Sequence, residues 1–276
     1  MPLHLYLGFG QTPTIAERLG YTKTDKLLII HADYLGVSHA ENSASIHGME
    51  MGSVNSASIM VPCPWFPEIA DYAKKHPQTE FGIHLTLTSE WKFYKWGPVT
   101  SKDSVLSLVN DQGYFYDTIA DVATHADPKH VEIELRNQVK MAYAAGINVT
   151  HLDTHMGAAM STKALLAAYI KIGQEFDLPV LLDHQIDGMA ALEIQHLIGD
   201  TDVIVDQTLT AMPRDFERGM DLYYTHLLRN LSPGLNCLLI HLAFEDAEIQ
   251  AMTIDHPHWG AAWRQADHDF FTSTLC

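Results

Sequence analysis

The chain has 276 residues, 47% hydrophobic and 18% charged, which is ample for a large core and usual for one α/β barrel. Thirty-four acidic against 17 basic residues give a net charge of -17, a field that repels phosphates and argues against nucleic acid or anionic membrane as partners. A neutral or cationic small substrate suits it better.

Three scattered cysteines, Cys63, Cys237 and Cys276, form no C-x-x-C pair. This excludes zinc-finger and thioredoxin readings and points to a reducing, cytoplasmic setting. No apolar run reaches the ~18 residues of a membrane span. Met1 to Gln11 lacks the basic and apolar regions of a secretory signal.

In chain order, Lys26 to His31 reads as a buried parallel strand, short, rich in Ile and Leu, and running into Ala32 and Asp33. Ser38 is placed to cap a helix reaching about His47, with Glu41 as its capping-box partner and Gly48 to Gly52 ending it. Ser56 to Val61 reads as a second strand, broken by Pro62, Pro64 and Pro67. Trp65 to Lys75 reads as a helix, with Phe66, Ile69 and Tyr72 at helical spacing. Phe81 to Leu87 is a third strand. This alternation is the βαβ rhythm of a parallel sheet.

Residues 89 to 120 form an aromatic insertion containing Trp91, Phe93, Tyr94, Trp96, Tyr114, Phe115 and Tyr116. It is either a functional segment or a lid packed on the barrel end, and the two are compatible. Asp127 to Ala145 predicts an amphipathic helix, with Val131, Leu135, Val139 and Ala142 on one face and Gly146 closing it. A strand at Ile147–Asp153, a helix at Ser161–Phe176 and a strand at Leu178–Leu182 follow. Then come a helix at Met189–Ile198, a strand at Asp202–Val205, a helix at Pro213–Leu228 and a last strand at Leu235–Ile240. A helical stretch holding Trp259, Trp263 and Phe270 completes the chain. About seven strands alternating with helices, and no linker or repeat, predict a single domain with a distorted (βα) barrel of mostly parallel strands.

Several of these strands stop at a charged or imidazole group: Asp33, His84, the trio His151, Asp153 and His155, and His241. In parallel α/β folds the strand C-termini share one face, so these residues converge on one mouth. Taken singly, His84 and His241 have a plain alternative as core histidines, and Asp33 as a loop cap. His151, Asp153 and His155 alternate along one strand and share a side. Three ionisable groups there are costly to bury unless paired or metal-bound. Carboxylate with imidazole suits zinc or another divalent metal. The chain has 17 histidines; His125, His130, His196, His226 and His268 lie in polar surroundings and read as surface or core-edge residues.

These segments resemble the YdjC-like (ChbG) carbohydrate deacetylase family. The resemblance runs from about Ile15 to Ser273 and is strongest at Leu27–Gly36, Ser56–Trp65, Gly82–Trp91, His151–Gly157 and Asp255–Arg264. It implies a distorted barrel that binds a divalent metal (zinc or magnesium), removes N-acetyl groups from amino sugars, and forms a homodimer. It implies metal ligation by His84 and His155, Asp33 as general base and His241 as general acid. His151 and Asp153 would orient a ligand or replace one, and Trp91 and Trp96 would stack on sugar faces.

The chain departs from the family pattern at Tyr34, where the family has a second Asp as metal ligand. Tyrosine is neutral at pH 7, so weak metal binding and impaired activity are expected. A second departure is Asp183 to Gln185, where a basic residue is expected. The rival readings are a non-catalytic carbohydrate-binding or regulatory protein on the same scaffold, and a hydrolase of changed substrate with Asp153 as the replacement ligand.

Overall fold

The computed structural model describes residues 14–183 and 203–273. The helix expected at Met189–Ile198, the start of the strand expected from Asp202, and His184, Gln185 and His196 fall outside them.

Among the described residues, eight strand segments follow one another: β1 (Lys26–Leu35), β2 (Ser56–Ile59), β3 (Phe81–Leu85), β4 (Val149–Thr154), β5 (Leu181–Asp183), β6 (Val203–Val205), β7 (Gln207–Leu209) and β8 (Gly234–Ile240). Six form a sheet in the order β4-β3-β2-β1-β8-β7, and β5 pairs with β6. Every strand pairing is parallel.

Two links turn this ribbon into a barrel. A parallel bridge between Leu152 and Val180 joins β4 to the start of β5. β6 and β7 are separated by Asp206 alone, one pairing with β5 and the other with β8. They act as one kinked staircase strand that spans the gap, so seven strand positions close the ring. The Asp206 carboxylate accepts from the Leu235 amide at 2.8 Å, and this holds the kink.

The strands are short and apolar because both faces are covered. β3 is buried throughout, and β8 nearly so. The helix at Pro128–Ala144 starts at an Asp127 cap with proline in its first turn, and it buries Val131, Leu135, Val139 and Ala142, the face its spacing predicts. Ser38 accepts from the Glu41 amide as a cap should. The Glu41 carboxylate instead accepts from the Ser38 hydroxyl and pairs with Arg264.

The predicted helix at Pro213–Leu228 is two helices, Pro213–Arg218 and Met220–Arg229, because Gly219 takes φ +106° between them. The C-terminal helical stretch is likewise two, Ala247–Met252 and Ala261–Thr272.

The aromatic segment after β3 folds onto the barrel mouth. The Ser89 amide donates to the Tyr116 carbonyl at 2.8 Å, and Trp96 Nε1 donates to the Thr88 carbonyl at 2.8 Å. Trp91, Trp96 and Phe115 are buried, whereas Phe93 is exposed. A helix at Ile119–His125 follows, only its first two residues falling in the segment expected at 89 to 120.

Candidate active site

A side-chain alternation of two would send Asp33 and Tyr34 to opposite faces of β1. The β1–β2 register shifts between Ala32 and Leu35, and Tyr34 takes φ +69°. This bulge turns both side chains into one cavity of about 610 Å³ at the C-terminal ends of the strands. A bulky side chain at positive φ is strained. His84, Glu90, Trp91, Asp153, His241 and Arg264 also line the cavity.

His84, on the cavity wall, meets the fully buried imidazole of His155, with His155 Nδ1 at 3.3 Å from His84 Nε2. Glu90 Oε2 accepts from His155 Nε2 at 3.0 Å. On the other ring, Asp153 Oδ2 lies 2.9 Å from His84 Nδ1, although off the N–H axis, since that nitrogen has no aligned hydrogen bond. The same oxygen accepts from Ser58 Oγ at 3.0 Å and faces His31 Nε2 at 3.1 Å. These partners outweigh burial and hold the Asp153 carboxyl well below the usual range. Burial also works to raise Glu90, but the His155 imidazole and its hydrogen bond outweigh it and bring Glu90 down to about 2.

Asp33 lies between His84 Nε2, 3.8 Å from Oδ2, and His241 Nε2, 3.4 Å from Oδ1. Burial pushes the Asp33 carboxyl up to about 7, against the pull of His84. Burial, aided by the Arg264 guanidinium and the neighbouring histidines, pushes His241 well below its usual value. The Asp267 carboxylate fixes this strand end by accepting from the His241 amide at 3.0 Å.

Tyr34 occupies the centre. Its ring centroid lies 5.0 Å from that of His155, 5.1 Å from His241 and 6.0 Å from His84, and it stacks at 5.9 Å on Trp91. The buried Arg264 guanidinium lies 4.3 Å from the ring centre and pairs with Glu41 at 2.8 Å. The Tyr34 hydroxyl donates to Glu90 Oε1 at 3.1 Å. Burial, then Glu90, hold the phenol protonated by raising its pKa well above 10.

Asp33, Tyr34, His84, Asp153, His155 and His241 thus come together, and Trp91 forms one wall. Two expected residues stand apart. His151 packs against Gly82 with its Nδ1 at 2.9 Å from the Thr150 hydroxyl, and its Nε2 is buried without a partner. It sits one strand step below Asp153, beside His31. Trp96, expected to stack on substrate, is buried behind Trp91 and spends its N–H on Thr88. Sequence reasoning missed Glu90, His31 and Arg264 as site residues. The signal for Glu90 was its place six residues after His84, at the strand-end loop.

His84 and His155 are the two residues that could donate to a divalent ion here. Zinc ligands 2.0–2.1 Å from the ion at tetrahedral angles are about 3.3 Å apart, the separation of His84 Nε2 and His155 Nδ1. The Tyr34 hydroxyl beside them is neutral and turned to Glu90, and the Asp33 carboxylate lies close to the pair, with Oδ2 3.8 Å from His84 Nε2. Among the described residues, no group of three or more His, Cys, Asp or Glu is arranged to hold a metal ion.

The model of the YdjC-like protein family matches residues 27–275. A carbohydrate deacetylase of Thermus thermophilus is 30% identical over 92% of this chain and 89% of its own length. A carbohydrate deacetylase of Brevibacillus brevis is 35% identical over 55% of this chain and 58% of its own length. The crystal structure of an Enterococcus faecalis protein, assigned provisionally to cellobiose-phosphate cleavage, superimposes with a TM-score of 0.75 at 23% identity. The match covers 91% of this chain and 92% of that one, and it shows a shared fold.

Proposed function

Because the chain belongs to the YdjC-like protein family, we propose that it hydrolyses N-acetyl groups of amino sugars or short chito-oligosaccharides, with turnover impaired by Tyr34. The observation that carries this reading is the placement of Asp33 Oδ1 3.4 Å from His241 Nε2 beside the His84–His155 pair. A proton acceptor, a proton donor and two imidazole donors then share one cavity.

The sugar lies against Trp91, an apolar wall suited to the face of a pyranose ring. His84 and His155 would hold a divalent ion, which when bound polarises the acetyl carbonyl. Asp33, whose carboxyl is raised to about 7, takes a proton from the attacking water. His241 is neutral at rest because burial disfavours its cation. It therefore receives its proton before donating it, and Asp33 Oδ1 is close enough to pass it on. The proton leaving water is thus the one that reaches the departing sugar nitrogen. The amide C–N bond breaks, a C–O bond forms, and the free amine leaves with acetic acid, which releases the second water proton to solvent as it ionises to acetate.

Impairment follows from Tyr34. Its hydroxyl offers no anionic oxygen, and its ring fills the space between His155, His241 and Trp91. The test is acetate release from N,N′-diacetylchitobiose by the natural protein and by Tyr34→Asp, with zinc supplied. The expected result is slow release by the former and at least a tenfold gain in the variant. High activity unchanged by the substitution removes the impairment. Inactivity of both with sugar still bound favours a carbohydrate-binding protein on this scaffold.

A further inference from the structure

Glu90 has no part in the chemistry above, yet its side chain is only 8% exposed and uses both carboxylate oxygens. Oε2 accepts from His155 Nε2 at 3.0 Å, and Oε1 accepts from the Tyr34 hydroxyl at 3.1 Å. Its aim is set by the loop that carries it. The preceding residue, Ser89, donates its amide to the Tyr116 carbonyl at 2.8 Å. Its hydroxyl accepts from the Trp96 amide at 3.0 Å, and its carbonyl accepts from Lys95 Nζ at 2.7 Å. The aromatic segment therefore clamps the backbone beside Glu90 from three sides.

A carboxylate only accepts hydrogen bonds. The nitrogen facing it, His155 Nε2, must carry the ring proton. That leaves the lone pair of the neutral ring on Nδ1, which points at His84 Nε2. Without a carboxylate at Glu90, a neutral imidazole could place its proton on either nitrogen, and one of the two choices blocks Nδ1 as a donor.

We propose that Glu90 is a positioning residue that fixes His155 in the Nε2–H tautomer, so that Nδ1 presents its lone pair to the cavity. Its value for metal binding rests on the reading of His84 and His155 as an ion-binding pair; its effect on the tautomer does not. The Tyr34 hydroxyl holds the second oxygen and keeps the carboxylate turned to His155. Outer partners of this kind are worth about 10–100-fold in metal affinity.

The test uses the full-length protein with ¹⁵N-labelled histidine, metal-free at pH 8, with imidazole nitrogen shifts assigned through a His155→Gln reference. Zinc affinity is measured in parallel by competition with a chromogenic chelator. In the natural protein, His155 is expected as the Nε2–H tautomer. Glu90→Gln keeps it, because the amide oxygen still accepts, and holds zinc affinity within about threefold. Glu90→Leu shifts His155 toward Nδ1–H and lowers zinc affinity about 10–100-fold. The Gln variant keeps the test interpretable if the Leu variant folds poorly. An Nδ1–H tautomer in the natural protein, or an unchanged tautomer in folded Glu90→Leu, overturns the proposal. A tautomer that follows Glu90 in a protein that binds no zinc supports the positioning role and overturns the ion-binding reading alone.

Discussion

Tyr34 and Glu90 are joined by a hydrogen bond of 3.1 Å, with the phenol donating. It ties the residue that departs from the family pattern to the carboxylate that orients His155. The phenol oxygen faces the Glu90 carboxylate. The neighbouring imidazoles of His84 and His155 stay 3.3 Å apart beside it.

Replacing Tyr34 by Asp changes both backbone and charge. Position 34 has φ +69°, which Asp adopts more readily than an aromatic residue. The new carboxylate also crowds Asp33 and Glu90. Metal-free Tyr34→Asp is therefore expected to be no more stable than the natural protein. Saturating zinc should raise its melting temperature by about 5–10 °C, from the linkage of roughly 3 kcal/mol at 100 times Kd. The natural protein should gain less than a third of that. Scanning calorimetry with zinc and with chelator decides it, and equal gains contradict the account.

The raised Asp33 carboxyl makes a stability prediction with a definite sign. In the unfolded chain it titrates near 3.8, and in the folded protein at about 7. Between those values the folded state binds a proton that the unfolded state has released, so stability falls as pH rises from about 4 to about 7. Asn has no proton to lose. The melting temperature of Asp33→Asn relative to the natural protein should therefore be more favourable at pH 8 than at pH 4, while deacetylase turnover is lost. An identical difference at both pH values contradicts the burial of an ionisable Asp33.

Arg264 and Glu41 form a buried pair at 2.8 Å beneath the Tyr34 ring. Arg264→Leu leaves the Glu41 carboxyl without its partner and should cost about 3–5 kcal/mol. Removing both charges with Leu at each position should recover most of that loss. Urea unfolding of the two single variants and the double variant measures the coupling. Additive losses contradict a direct pair.

Gly82 precedes the β3 residues that carry His84 and lies flat against the His151 ring. A methyl group there collides with His151 Nε2 and the two ring carbons beside it, so Gly82→Ala should cost about 1–3 kcal/mol through displacement of His151. Gly82→Ala combined with His151→Ala should restore stability. Persistence of the full loss in the double variant contradicts this packing.

Much of this architecture is legible in the sequence because parallel strands buried on both faces write themselves as apolar runs. Those runs end at the polar residues that matter, so Asp33, His84, Asp153, His155 and His241 could be placed on one rim from spacing alone. Three features escaped for physical reasons. The bulge that brings Asp33 and Tyr34 to the same side breaks the period of two on which face assignments depend. β7 is three residues long and polar, and its strand character comes from pairing with β8 rather than from composition. Glu90 and Arg264 sit in a loop and a helix, where nothing local separates a site residue from a solvated charge. Trp96 misled because an aromatic near a mouth looks the same in sequence whether it faces the cavity or supports the wall.

In the proposed reading, Tyr34 is what keeps this site from holding a divalent ion. The most direct measurement is zinc content by elemental analysis after dialysis of the natural protein and Tyr34→Asp against the same buffered zinc. The account predicts about one equivalent in the variant and well under half of that in the natural protein. A full equivalent held equally by both would contradict it.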